Sequence, residues 1–213
     1  MEQTQADLVE LIRISGIEEQ RLISAFEVVP RAAFVPKHLV GLAYEDQPLP
    51  IPHGQVTTQP SLSALMIEAL ELKPTERVLE IGSGYGFQTA LLASLCAHVT
   101  SIEIWDDIAR VSRDNLEAQG IENVEVLVGD GSLGAPHQAP FDAVLVSAAF
   151  TRVPEPLADQ LVEGGRIIQP IGPGGDEMVT LFHKRNGRLV EVRGVIPARF
   201  VRLIGDKAFP EGP

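Results

Sequence analysis

The sequence predicts a doubly wound α/β sheet, mostly parallel, with antiparallel strands at one edge and a helical extension at the N-terminus. Three observations carry this. From residue 76 onward, short apolar strands alternate with segments of helical period, the rhythm of parallel strands joined by crossover helices. The first of these strands runs straight into a glycine-rich turn, Gly82-Ser83-Gly84-Tyr85-Gly86. Near the C-terminus the rhythm changes: residues 178–196 read as two strands around Asn186-Gly187, the signal of a type I′ hairpin.

The elements follow in order. Residues 6–28 carry Leu8, Val9, Leu11, Ile12 and then Leu22, Ile23, Phe26 at helical spacing, with a break at Gly16. Residues 29–61 hold Pro30, Pro36, Pro48, Pro50, Pro52 and Pro60 with little helical period, and so long an irregular stretch is usually functional or a linker. Helical spacing returns at Leu62, Leu65, Met66, Ala69 and Leu70, ending at Pro74. Strands are then expected at 77–82, 98–103, 123–130, 141–149 and 165–172. Helices are expected at 86–97, at 105–119 with Gly120 as the stop, and at 154–162 before Gly164-Gly165. The domain boundaries drawn from this are an extension over 1–59, a ligand-binding domain over 60–205 and a tail over 206–213.

Charge and composition narrow the function. Lys plus Arg is 17 against 29 Asp plus Glu, a net charge of −12, which gives a nucleic-acid backbone or an anionic membrane no general attraction. No apolar run is long enough to span a bilayer, and the N-terminus carries Glu2, Asp7 and Glu10 where a signal peptide needs basic residues. The single cysteine, Cys96, has no intrachain partner, which fits a reducing compartment. A cytoplasmic protein is expected, with a monomer favoured. The five histidines are scattered, and with one cysteine no metal site is expected.

The turn at 82–86 sits where open α/β sheets bind ligands, and its glycines let a backbone approach without a Cβ in the way. The dinucleotide fingerprint G-x-G-x-x-G would need glycine at 87, which is Phe87. Glu80, just before the turn, suits a ligand with a cationic amino-acid end. Glu103 closes the second strand, where a carboxylate can accept from both ribose hydroxyls. Asp130 closes the third, where its side chain and the Gly131 amide can meet an adenine edge. Three acidic strand ends in succession favour an adenosyl ligand lying across the sheet, the pattern of a methyltransferase. Trp105 either stacks on the adenine or covers the start of the helix; Cys96, Phe87 and Phe141 read as core.

At this point the chain resembles the protein-L-isoaspartate O-methyltransferase family over nearly its whole length. The matching segments are Val29-Pro30-Arg31-Ala32-Ala33-Phe34-Val35-Pro36, Tyr44-Glu45-Asp46-Gln47-Pro48-Leu49-Pro50-Ile51 and Gly54-Gln55-Val56-Thr57-Thr58-Gln59-Pro60. Leu79–Gly84, Gly129–Gly131, Ala139–Ala143, Gly164–Arg166, Pro170–Gly172 and Arg199–Val201 follow in family order. The resemblance implies a Rossmann-like methyltransferase fold. It implies methyl transfer from S-adenosylmethionine to the α-carboxylate of an isoaspartyl residue in a damaged protein or peptide. It also implies cofactor contacts at Val56, Thr57, Ser63, Glu80, Gly82, Ser83, Gly84, Glu103, Ile104, Asp130, Gly131, Ile171 and Glu177, and a hydroxyl at Thr58 that holds the reacting carboxylate. No general base is needed, because a carboxylate is already an anion at neutral pH.

Four positions depart from the family pattern: Thr58 replaces a serine, Ser61 an aromatic residue, Glu177 a glutamine and Arg202 a proline. All fall where the resemblance places substrate or cofactor contacts. Two other functions therefore stand beside the first: a related carboxyl methyltransferase with another acceptor, such as a modified natural-product peptide, and a non-catalytic adenosyl-binding protein. Phe87 and the lack of a proton donor near the ligand side set a nicotinamide oxidoreductase behind these.

Overall fold

A computed structural model of the chain describes residues 3–210. Residues 1–2 of the N-terminal extension and 211–213 of the tail lie outside the described residues. Helices α1 (Gln5–Ile14) and α2 (Gln20–Val28) flank a left-handed Gly16, as the spacing predicts. Thr4 closes α1 with a capping box, its hydroxyl accepting from Asp7 N while Asp7 accepts from Thr4 N. The proline-rich stretch forms two 3₁₀ turns and a small ribbon, β1 (Leu49–Pro50) paired with β2 (Val56–Thr57). Helix α3 (Pro60–Ala69) starts on Pro60 itself, a residue whose fixed φ suits the first helical position.

Strands β3 (Arg77–Ile81), β4 (His98–Glu103), β5 (Val124–Val128) and β6 (Phe141–Val146) are parallel. Helices α4 (Phe87–Ala93) and α5 (Asp106–Ala118) supply the first two crossovers. Strand β7 (Leu161–Ile171) pairs parallel with β6 and antiparallel with β8 (Glu177–Arg185), and β9 (Arg188–Ala198) closes the edge. The hairpin turn has φ of 53° at Asn186 and 72° at Gly187, the two positive values a type I′ turn requires. The sheet order is β5-β4-β3-β6-β7-β8-β9, so the chain reverses direction of growth at β3 and β6. That reversal opens a crevice at the carboxyl ends of these two strands.

One expected element is much shorter. The helix expected over 154–162 is α6 (Glu155–Asp159), and β7 begins at Leu161, before the glycines. Leu157 and Leu161 lie one helical turn apart in sequence, but Leu161 is the β-partner of Phe141 instead. Gly164 and Gly165 then serve an irregularity inside β7, and a Cβ on Gly165 would press on the carbonyls of Val162 and Asp142.

Both faces of the sheet are covered, so its central strands are apolar on both sides. Val78, Val99, Ala143 and Leu145 point to a core shared with α1, α2, α3 and α4, where Ile12, Leu22, Phe26, Ile67 and Leu91 are buried. Leu79, Ile81, Val144 and Val146 point to the opposite core, with Leu157, Phe150 and Leu203. Residues 206–210 are held against the body: Asp206 N donates to Asp130 Oδ2 (2.7 Å), Lys207 N to Ser132 Oγ (3.0 Å), and Phe209 packs edge-on to Phe150. No helix among the described residues is long and apolar enough to cross a membrane.

Candidate active site

The crevice at the β3/β6 reversal is a cleft of about 920 Å³, counted out to its open mouth. Its floor is the turn after β3, where Gly82 takes φ of 92°, a conformation that favours glycine. Glu103, at the end of β4, fastens this turn: its Oε2 accepts from Gly84 N (3.0 Å), and its Oε1 accepts from Ile104 N (2.9 Å) and Trp105 N (3.2 Å). Burial raises the Glu103 pKa against the pull of these donors. Gly131 leaves room for Ile81, whose Cγ2 would overlap a Cβ there. The roof comes from the irregular segment, with Ile51, Gln55, Val56, Thr57 and Thr58, and from the C-terminal residues Val201–Ile204.

Of the expected contacts, Val56, Thr57, Thr58, Ser63, Gly82, Ser83, Gly84, Glu103, Ile104 and Gly131 line this cleft. Four do not. Glu80 is fully buried behind the wall, because strand alternation turns it with Val78 toward α4. There its carboxylate accepts from Thr89 Oγ1 (2.5 Å), Ser101 Oγ (2.6 Å) and Gln88 Nε2 (3.2 Å), and burial pushes its pKa up to about 7. The Asp130 carboxylate is taken up by Ser132 and by Asp206 N. Ile171 ends β7 beside Phe150 and Met178, away from the cleft. Glu177 is buried at the start of β8, its Oε2 accepting from Phe200 N (2.9 Å).

Three cleft-lining groups have a buried polar atom without a protein partner: Ser63 Oγ, Gln88 Oε1 and Trp105 Nε1. A buried polar atom left unpaired is costly, so these atoms mark where a polar ligand belongs. Gln88 escaped the sequence reading. Glu80 holds its amide nitrogen, which turns the carbonyl oxygen outward as an acceptor for an ammonium group. An acceptor for an ammonium, a hydroxyl, the Glu103 carboxylate and an apolar wall of Ile81, Ile102 and Ile104 suit an adenosyl amino acid. Trp105 lines the cleft and begins α5, with the His53 imidazole stacked on it at 4.1 Å between ring centres. His53 Nε2 also meets Asp107 Oδ1 at 2.9 Å, tying the roof to α5.

A second cavity adjoins the first, lined by Pro48, Gln59, Ser61, Leu62 and residues 196–200. Val56, Thr58, Ser147 and Val201 line both. Thr58 precedes α3 without capping it: the N-cap residue is Gln59, and no side chain among the described residues caps that helix in its usual position. Asp46 instead accepts from Ser61 N (2.8 Å) and Ser61 Oγ (2.7 Å), so Ser61 is bound into the loop that carries Thr58. Arg31 holds the rest of this loop. Its guanidinium, 1% exposed, donates to the carbonyls of Ala43 (2.9 Å), Glu45 (2.7 Å) and Gln47 (2.8 Å). Burial lowers its pKa to about 10, with nearby Asp46 acting the other way.

The profile of the protein-L-isoaspartate(D-aspartate) O-methyltransferase family matches residues 2–208. The chain belongs to this family. It is 47% identical over 196 residues to the protein-L-isoaspartate O-methyltransferase of Methanoculleus marisnigri, covering 91% of this chain and 88% of that one. With the enzyme of the same name from Myxococcus xanthus it shares 48% identity over 193 residues, covering 89% and 91%. A solved protein-L-isoaspartate O-methyltransferase superposes with a TM-score of 0.85 at 32% identity, over 96% of this chain and 67% of the other. A Plasmodium falciparum protein solved in complex with S-adenosyl-L-homocysteine shares the fold, with a TM-score of 0.81 over 95% of this chain and 99% of that one.

Proposed function

We propose that this chain is an S-adenosylmethionine-dependent carboxyl methyltransferase of isoaspartyl residues, with the cofactor in the glycine-turn cleft and the peptide in the adjoining cavity. The observation that carries the placement is the pair of cavities meeting at Thr58 and Ser147. Bound in the cleft, S-adenosylmethionine supplies an electrophilic methyl group that an aligned carboxylate oxygen takes without any proton transfer. The chain's own task is to align and to exclude water. Glu103 receives the ribose hydroxyls, Ser63 and Gln88 the amino-acid end, and Val56 and Val201 narrow the junction. The Thr58 hydroxyl donates to the acceptor carboxylate. Holding two reactants in line contributes up to about 7–11 kcal/mol toward the barrier, which is enough for a reaction between a ready nucleophile and a ready electrophile.

Glu80 acts behind this surface, by orienting Gln88. Asp130 serves the adenine side through the backbone that it shapes at Gly131, and Ile171 and Glu177 support the acceptor side. Product cyclisation to a succinimide, and its partial reopening as aspartate, makes the activity a repair of damaged proteins. The net charge of −12 supports peptides and not nucleic acid as acceptors, and a lone buried cysteine supports a cytoplasmic location.

The test is incubation with labelled methyl donor and two peptides that differ only in carrying isoaspartate or aspartate at one site. The extra backbone methylene shifts the free carboxylate by more than an ångström, so the aspartyl peptide is expected to react about a hundredfold more slowly. Equal rates contradict the isoaspartyl assignment.

A further inference from the structure

The two cavities share four residues, of which two are valines and two carry hydroxyls. Thr58 is already given the acceptor carboxylate. Ser147, just beyond the end of β6, lines both cavities with it, and its surroundings fix which way its hydroxyl works. Gln88 Nε2 donates to Ser147 Oγ at 2.7 Å, so the serine oxygen is an acceptor on that side. While Glu80 is ionised, Gln88 cannot turn over to offer its carbonyl instead, because its amide nitrogen also donates to the Glu80 carboxylate at 3.2 Å, where a carbonyl oxygen would face an acceptor. Glu80 is itself fixed by Thr89 and Ser101 at 2.5 and 2.6 Å. The Ser147 proton therefore remains free, and no protein acceptor among the described residues takes it. The hydroxyl stands at the opening between the two cavities with one direction left to it.

We infer that Ser147 is a second substrate-binding hydroxyl, donating to the acceptor carboxylate alongside Thr58, with its direction set through Gln88 by the buried Glu80. This rests on the reading of the second cavity as the acceptor site. The choice of group makes chemical sense. Methyl transfer removes the carboxylate's charge, so a cation beside it would hold the anion back, whereas two neutral donors orient it and leave it nucleophilic.

The experiment compares wild type, Ser147→Ala and Ser147→Thr with one isoaspartyl peptide, together with S-adenosylhomocysteine binding by calorimetry and thermal melting. For Ser147→Ala, kcat/KM is expected to fall about ten- to hundredfold, the loss of one hydrogen bond to a charged group, with KM carrying most of it. Cofactor-product affinity falls far less than kcat/KM, because Glu80 still holds Gln88, and Ser147→Thr recovers most of the activity. Wild-type kcat/KM in Ser147→Ala overturns the inference. So does a fall in S-adenosylhomocysteine affinity as large as the fall in kcat/KM, which would make Ser147 a cofactor contact only. If the wild type fails to prefer isoaspartate, the acceptor reading falls and not the hydroxyl geometry; Ser147 is then judged with whichever carboxylate peptide the wild type methylates.

Discussion

The two halves of the site are built differently. The cofactor side is made from consecutive strand ends: the turn after β3, Glu103 after β4 and Gly131 after β5, all carried by one parallel sheet. The acceptor side is gathered from three distant stretches: the 48–62 segment, Ser147 beyond β6 and residues 196–201 at and after the end of β9. A sheet imposes its geometry on whatever ends its strands, so the first half needs few side chains to hold it. The second half has no such frame, and buried polar anchors supply one. Arg31 ties the carbonyls of Ala43, Glu45 and Gln47 that lead into the first stretch and donates to Thr57 Oγ1 within it, and Glu177 takes Phe200 N of the last. Of the family departures, Ser61 lines the second cavity, Glu177 supports it through Phe200, Thr58 stands where the two cavities join and Arg202 lines the roof of the first; none falls in the glycine turn.

The largest effect expected from this contrast is at Arg31. Arg31→Met keeps much of the volume and leaves three carbonyls in the interior without their donor. A loss of about 3 kcal/mol or more in urea denaturation is expected, with the acceptor loop disordered. A loss below about 1 kcal/mol would show that the loop is framed by something else.

Next comes Glu103→Ala on the cofactor side. S-adenosylhomocysteine binding by calorimetry should weaken by roughly 1–3 kcal/mol, because the ribose hydroxyls lose a partner in a closed site. Peptide KM should stay near its wild-type value. If KM rises in step, the two halves are not separable.

A pH titration of stability sharpens the role of Glu80. Its folded pKa is raised from 4.5 to about 7 by burial, with Glu103 adding to the rise and the donors Ser101, Thr89 and Gln88 opposing it. The neutral form is thus favoured by folding. The stabilising contribution is complete below pH 4.5 and is lost as pH rises to about 7. Glu80→Gln should remove this decline, flattening the slope of unfolding free energy over that interval by up to about 1.4 kcal/mol per pH unit. Parallel curves for the two proteins would mean that Glu80 is ionised in both states.

Thr58→Ser should have the smallest effect. It restores the family's hydroxyl without the extra methyl, and turnover with isoaspartyl peptide should equal or modestly exceed that of the wild type. A tenfold fall would give the methyl group itself a part in placing the acceptor.

The same contrast explains what the sequence disclosed. Strand–turn–helix order, Glu103 and the Asn186-Gly187 hairpin are local patterns, and they stand where they were expected. Glu80 is next to the glycine turn in sequence, but strand period sends it to the helix face, and only knowledge of which face holds α4 discloses that. Gln88 and Ser147 carry no motif of their own; a hydrogen bond between residues this far apart in the chain makes them a pair. The expected helix at 154–162 failed for a similar reason, since Leu161 answers to Phe141 across the sheet and not to Leu157 along the chain. Asp130 looks open to the ligand in the sequence, because nothing local shows that residue 206 comes back to cover it.

The central claim is that chemistry happens where the two cavities meet, under the Thr58 hydroxyl. Thr58→Val keeps the shape of the side chain and deletes the hydrogen bond. Its turnover with isoaspartyl peptide and its S-adenosylhomocysteine affinity, measured on the same folded preparation, test the claim directly. The account predicts turnover lowered about a hundredfold, the scale of a misaligned acceptor, with affinity and melting temperature unchanged. Wild-type turnover in Thr58→Val, or a loss of cofactor-product affinity that accounts for the whole fall, would contradict it.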